Sequence, residues 1–136
     1  MGQQQLLLLV LAAVIVGTAV VIGINMFAQN SVQANQDAVA QDVITIVSRA
    51  QAWFKKPTVM GGGGHNFTGL TDTPAGFAKL GLSQTNANGS YSMTVAAKTI
   101  TVKGTGIEDG DADGTALTVT ITGADSVGVP AAVLAD

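Results

Sequence analysis

The sequence predicts an α+β protein in which a long N-terminal α-helix packs against a small C-terminal antiparallel β-sheet head. Three observations carry this. Residues 6–27 form an unbroken apolar run. From Ile24 to Lys56 no Gly or Pro intervenes, while apolar residues recur at helical spacing. Beyond Ser90, runs rich in Val, Ile and Thr alternate with turn residues, as short strands do. With 136 residues, the chain has room for one small domain and an appendage.

The first segment, residues 1–27, reads as a membrane or filament-core helix. Fifteen of the 22 residues from Leu6 to Phe27 are Leu, Val, Ile, Met or Phe, and only Thr18 and Asn25 are polar. A helix of that length is about 33 Å long, enough to cross the hydrocarbon of a bilayer. It is apolar on every face, and a head this small cannot cover it. Each large side chain gains roughly 1.5–3 kcal/mol on leaving water, so the segment requires lipid or copies of itself.

Residues 28–56 continue the helix in amphipathic form. Val32, Val39, Val43, Ile46, Val47, Ala50, Trp53 and Phe54 mark one stripe. Lys55 and Lys56 suit a helix C-terminus, and Pro57 followed by Gly61–Gly64 ends the pattern. One helix from about Gln3 to Lys56, roughly 80 Å long, is expected. Gly17 and Gly23 interrupt its apolar half, each costing about 1 kcal/mol of helix propensity relative to Ala. They allow two readings: close approach of neighbouring helices, or a stretch that unwinds under load.

Residues 57–89 read as a Gly- and Thr-rich connection carrying a short helix near 74–80. Thr73-Pro74 supplies its N-cap and first residue, and Gly81 closes it. Residues 90–136 should form the sheet, with strands near 90–96, 98–103, 115–122 and 127–134. About fifty residues of sheet are too few to be sturdy alone, so the sheet is expected to pack on the helical stripe.

Charge is distributed unevenly. All sixteen Asp, Glu, Lys, Arg and His residues lie from Asp37 onward. Only 11% of residues are charged, against about 25% in an average soluble protein. The net charge of −3 argues against a nucleic-acid partner. With no Cys and one His, thiol chemistry is excluded and His-based catalytic sets nearly so. No carboxylate pair, Ser/His/Asp set or cofactor fingerprint is visible, and no enzyme activity is expected.

Taken together, the charge-free apolar start from Met1 to Phe27, the buried-to-amphipathic helix and the small terminal sheet resemble the type IV pilins. The resemblance covers the whole chain as architecture and, as sequence, mainly Met1–Phe27. It implies the major structural subunit of an extracellular pilus-like filament, a cell-surface helical homopolymer of the kind used in adhesion. N-terminal helices would form the core and heads the wall. It also implies residence in the cytoplasmic membrane before assembly, a prepilin peptidase that cuts after a glycine and methylates the new end, and pilus assembly machinery. Alternatives are a pseudopilin of a secretion or uptake machine and a membrane-anchored binding domain that does not polymerise. Pilins usually carry Glu at mature position five, to pair with a neighbour's terminal amine. Counted from Met1 that place holds Gln5, and counted after Gly2 it holds Leu7. Gln3, Gln4 and Gln5 are neutral substitutes able to hydrogen-bond to adjacent chain ends. With Leu9, Val16, Gly17, Gly23 and Phe27 they form the expected assembly set. A cleaved secretory signal would want a basic start and an apolar core of 7–15 residues; this segment has no basic residue and is longer, so it is expected to be retained.

Remaining motifs are weaker. Asp109, Asp111, Asp113 and Gly114 match positions one, three, five and six of a calcium loop, but position twelve is Thr120 rather than Glu. Those aspartates are candidate calcium ligands; the competing reading is a solvated turn. No other cofactor is expected. Asn66-Phe67-Thr68 and Asn88-Gly89-Ser90 are N-glycosylation sequons, so Asn66 and Asn88 are expected at the surface. Gly61–Gly64 with His65 lacks the Lys and Ser/Thr of a phosphate loop and reads as a flexible connector or a close backbone packing site. Phe27, Trp53 and Phe54 read as core aromatics, not an electron path.

Overall fold

The computed structural model describes residues 2–108, 118–124 and 131–135, with side chains described as far as residue 108. Helix α1 runs from Gly2 to Lys55. It is followed by a 3-10 turn at Thr58–Met60, helix α2 at Pro74–Lys79, and strands β1 (Gly89–Val95), β2 (Thr99–Gly106), β3 (Thr118–Ala124) and β4 (Ala131–Ala135). The strands form one four-stranded antiparallel meander in the order β1-β2-β3-β4. The long helix lies across β2 and β3.

The expected elements are present, with shifted ends. Strand β2 continues past Lys103, its expected end, through Gly104-Thr105-Gly106. Gly104 sits beneath α1. A Cβ there would come within 2.6 Å of Val43 Cγ2 and 2.7 Å of Val39 Cγ1, so the glycine lets the sheet approach the helix closely. Strands β3 and β4 are described over Thr118–Ala124 and Ala131–Ala135, and the first residues of the expected strands, 115–117 and 127–130, lie outside the described residues.

The core lies between the second half of α1 and one face of the sheet. Val39, Val43, Ile46, Val47, Ala50 and Phe54 face Tyr91 and Met93 of β1 and Ile100 and Val102 of β2. Phe67 and Leu70 from the connection, with Phe77 and Leu80 around α2, close the open side. The alternation along β1 and β2 puts every second residue into this core. Val32 and Trp53, the other two members of the expected stripe, are half-buried.

The connection terminates α1 by returning over its last turn. Gly63 N–H donates to Trp53 O, Gly64 N–H to Lys56 O and His65 N–H to Phe54 O, satisfying carbonyls the helix leaves unpaired. Gly63 and Gly69 lie against the Trp53 indole with no room for a Cβ, so of the two readings of this glycine run the structure supports backbone packing. Helix α2 opens as expected. Thr73 Oγ1 accepts from Gly76 N–H, Pro74 takes the first turn, and Gly81 follows at φ +69°.

Candidate assembly surface

From Gly2 to Asn30 every residue of α1 is exposed, and the head begins to cover the helix only at Ser31. That free length is about 43 Å. Its large apolar side chains, Leu6 to Phe27, are 55–75% exposed on all sides. The helix is long and apolar enough to cross a membrane by length and composition. Leu9, Val16 and Phe27 therefore lie on an uncovered rod. Gln3, Gln4 and Gln5 form its first turn, exposed and helical.

Gly17 and Gly23 have no role in the fold of the single chain, since a Cβ at either would meet nothing within 4 Å. Around Gly17 the missing side chain leaves a shallow apolar notch of about 510 Å³ lined by Val14, Gly17, Thr18, Val21 and Ile22. The one hydroxyl there is internally satisfied, because Thr18 Oγ1 donates to Ile15 O at 2.9 Å. The notch therefore presents an apolar surface, suited to lipid or to another helix.

A polar network fixes the head to the helix. Asp42 Oδ2 accepts from Tyr91 Oη at 2.6 Å and from the side-chain amides of Asn86 and Asn88 at 2.8 Å each. Asn86 Oδ1 in turn accepts from Asn88 N–H and Gly89 N–H, which shapes the entry into β1. Burial pushes the Asp42 carboxyl upward, but the bonds donated by Tyr91, Asn88 and Asn86 outweigh this and hold it below its ordinary value. Burial raises the Tyr91 phenol well above its usual range, and its hydrogen bond to the Asp42 carboxylate raises it further. About two turns toward the apolar rod, Asn35 Nδ2 donates to Asn88 O, and Asn35 Oδ1 accepts from Ile107 N–H at 3.1 Å and Glu108 N–H at 3.4 Å. At the other end Arg49 Nη1 donates to Leu80 O at 3.1 Å, capping α2.

Motif reading did not single out Asn35, Asp42, Arg49, Asn86 or Tyr91. A signal existed for two of them. Asn35 and Asp42 are seven residues apart and flank Val39 and Val43, so helical spacing alone puts these polar groups beside the buried stripe. Their partners Asn86, Asn88 and Tyr91 come from a loop and strand 44–53 residues later, which no local pattern reveals.

The two sequons differ. Asn66 is exposed, with its Oδ1 accepting from Thr68 N–H. Asn88 is half-buried with its amide engaged by Asp42, contrary to the expectation that it lies open at the surface. His65 stacks edge-on against Phe54 at 5.5 Å between ring centroids. The calcium candidates Asp109, Asp111 and Asp113 lie outside the described residues. Comparison with protein-family models, with curated proteins and with solved structures finds no match to this chain.

Proposed function

We propose that the chain is the major structural subunit of an extracellular pilus-like filament, built by packing its apolar helices into a core with the heads outside. One observation carries the reading. A charge-free segment with large side chains 55–75% exposed on every face continues, without a break, into the helix that anchors a folded polar head. Such a rod is stable only in lipid or against other apolar helices. A parallel bundle of copies supplies the second environment while leaving each head in water. The subunit would wait in the cytoplasmic membrane and exchange lipid for neighbouring helices on assembly, served by a prepilin peptidase and assembly machinery. Contacts of this kind do not close into a ring and therefore propagate. The role is structural rather than catalytic. The neutral Gln3–Gln5 turn can enter an apolar bundle without the desolvation cost of an unpaired carboxylate.

The test is electron microscopy of material sheared from the cell surface, with mass spectrometry of its subunits, on the native chain and on Leu9→Asp and Val16→Asp. Uniform filaments made chiefly of this chain, lost in both variants while the head stays folded, are expected. Each substitution puts a carboxylate where it has no partner, at a cost of several kcal/mol per subunit. Filaments of normal length and yield from either variant would refute the proposal. A native chain confined to membranes and absent from sheared material would favour a machine component or a single-span anchor, which share the same apolar helix.

A further inference from the structure

Outside the apolar rod, few large apolar side chains are exposed among the described residues, and three of them mark the two ends of the head. Val59 and Met60, 94% and 66% exposed, form the turn beyond α1. Ile107, 65% exposed, stands at the opposite end, where its N–H is held by Asn35. Asn35 and Lys56 are about 31 Å apart along the helix.

The same two ends carry opposite charge. Exposed Lys55 and Lys56 flank the Thr58–Met60 turn, with Arg49 and Lys79 on the adjoining surface; these are four of the six Lys and Arg residues in the chain. Arg49 and Lys79 donate to backbone carbonyls, and no ion pair involves these four among the described residues. At the Asn35 end Glu108 stands beside Ile107, its N–H also donating to Asn35 Oδ1, and exposed Asp37 lies two residues on from Asn35. The Val59–Met60 end is thus bordered by positive charge, and the exposed apolar side chain at the other end, Ile107, has Glu108 of the opposite sign beside it, with Lys103 four residues back along β2.

We infer that the head carries a heterologous docking surface for a second copy of this chain. The Val59–Met60 turn with Lys55 and Lys56 of one copy seats on the Ile107–Glu108 corner of the next. The inference rests on the filament reading, since copies that share a membrane are parallel. An axial offset of about one head length then brings one copy's tip under its neighbour's base. A contact between different patches, repeated, adds subunits without closing. It need not be large, because it acts together with the packed helices. Apolar side chains give it adhesion and the charges give it register.

The chain has no cysteine, which permits a direct test. Met60→Cys with Ile107→Cys introduces two exposed thiols that can join only if the two ends meet, because a disulfide needs Cβ atoms about 3.5–4.5 Å apart. After mild oxidation of sheared filaments, a ladder of dimers, trimers and longer species is expected, collapsing on reduction. Either single variant should give no ladder. Independently, Lys56→Glu or Glu108→Lys should lower the temperature at which filaments come apart at low salt, by a difference that shrinks as salt rises, and the two together should restore it. A ladder or this charge-swap rescue supports the docking surface. Native-looking filaments with neither result overturn it and leave the polymer reading intact. If no filaments form at all, the same oxidation on the full chain in detergent decides: a ladder keeps the contact while the polymer reading falls, and monomer removes both.

Discussion

Tyr91 and Asp42 sit where a helix residue and a strand residue almost fifty positions apart share one hydrogen bond, and their chemistry makes the junction pH-dependent. The Asp42 carboxyl is held below its ordinary 3.8, so its contribution to stability is complete above that value and is lost as pH falls through the lowered one. Tyr91→Phe keeps the ring in the core and removes one donor, which should cost about 1–2 kcal/mol at neutral pH. Asp42→Asn should lower the melting temperature at pH 7, and its difference from the native chain should shrink below about pH 4 as the native carboxyl protonates. Thermal melts of both variants from pH 2 to 7 check this, and a difference that does not vary with pH would show that Asp42 acts by shape alone.

Helix α1 has two regimes that follow from one sequence. Its C-terminal half buries Val39, Val43, Ile46, Val47, Ala50 and Phe54 on one face, whereas its N-terminal half buries nothing within the chain. Gly17 therefore gives no benefit to the monomer, and its two readings separate by substitution. Gly17→Ala adds about 1 kcal/mol of helix propensity and only a methyl group, while Gly17→Leu fills the notch. If the notch receives a neighbouring helix, the Ala variant assembles and the Leu variant does not, and both remain helical in detergent. That is the expected outcome, read as pelletable filament and by circular dichroism. If Gly17 instead marks a stretch that must unwind, the Ala variant is already impaired.

Considered as a whole, the molecule separates a rod that cannot tolerate water from a head that can. Every fully buried side chain among the described residues belongs to residue 39 or later, so the core does not depend on the rod. Deleting residues 1–27 should yield a soluble monomer with a cooperative melt within a few degrees of the full chain in detergent. Size-exclusion chromatography and thermal melts measure this. An aggregated or unfolded product would mean that the rod supports the head.

Hydrophobic patterning by itself determined the long helix, the point near Phe27 where its burial changes, the short α2 with its Thr73-Pro74 cap, and the existence of a terminal sheet. These are local properties: side-chain periodicity and end chemistry act within a few residues. The apolar rod, on which the functional proposal rests, was equally legible for the same reason. Tertiary structure alone decided that Gly104 belongs inside a strand, because the reason is Val39 and Val43 above it rather than anything adjacent in sequence. It likewise withdrew the Asn88 amide from solvent and joined Asn35, Asp42, Asn86 and Tyr91 into one junction. It also set Met60 and Ile107 at opposite ends of the head. Those relations depend on which distant segments meet when the sheet closes on the helix, and a one-dimensional pattern does not encode that meeting until the chain is folded.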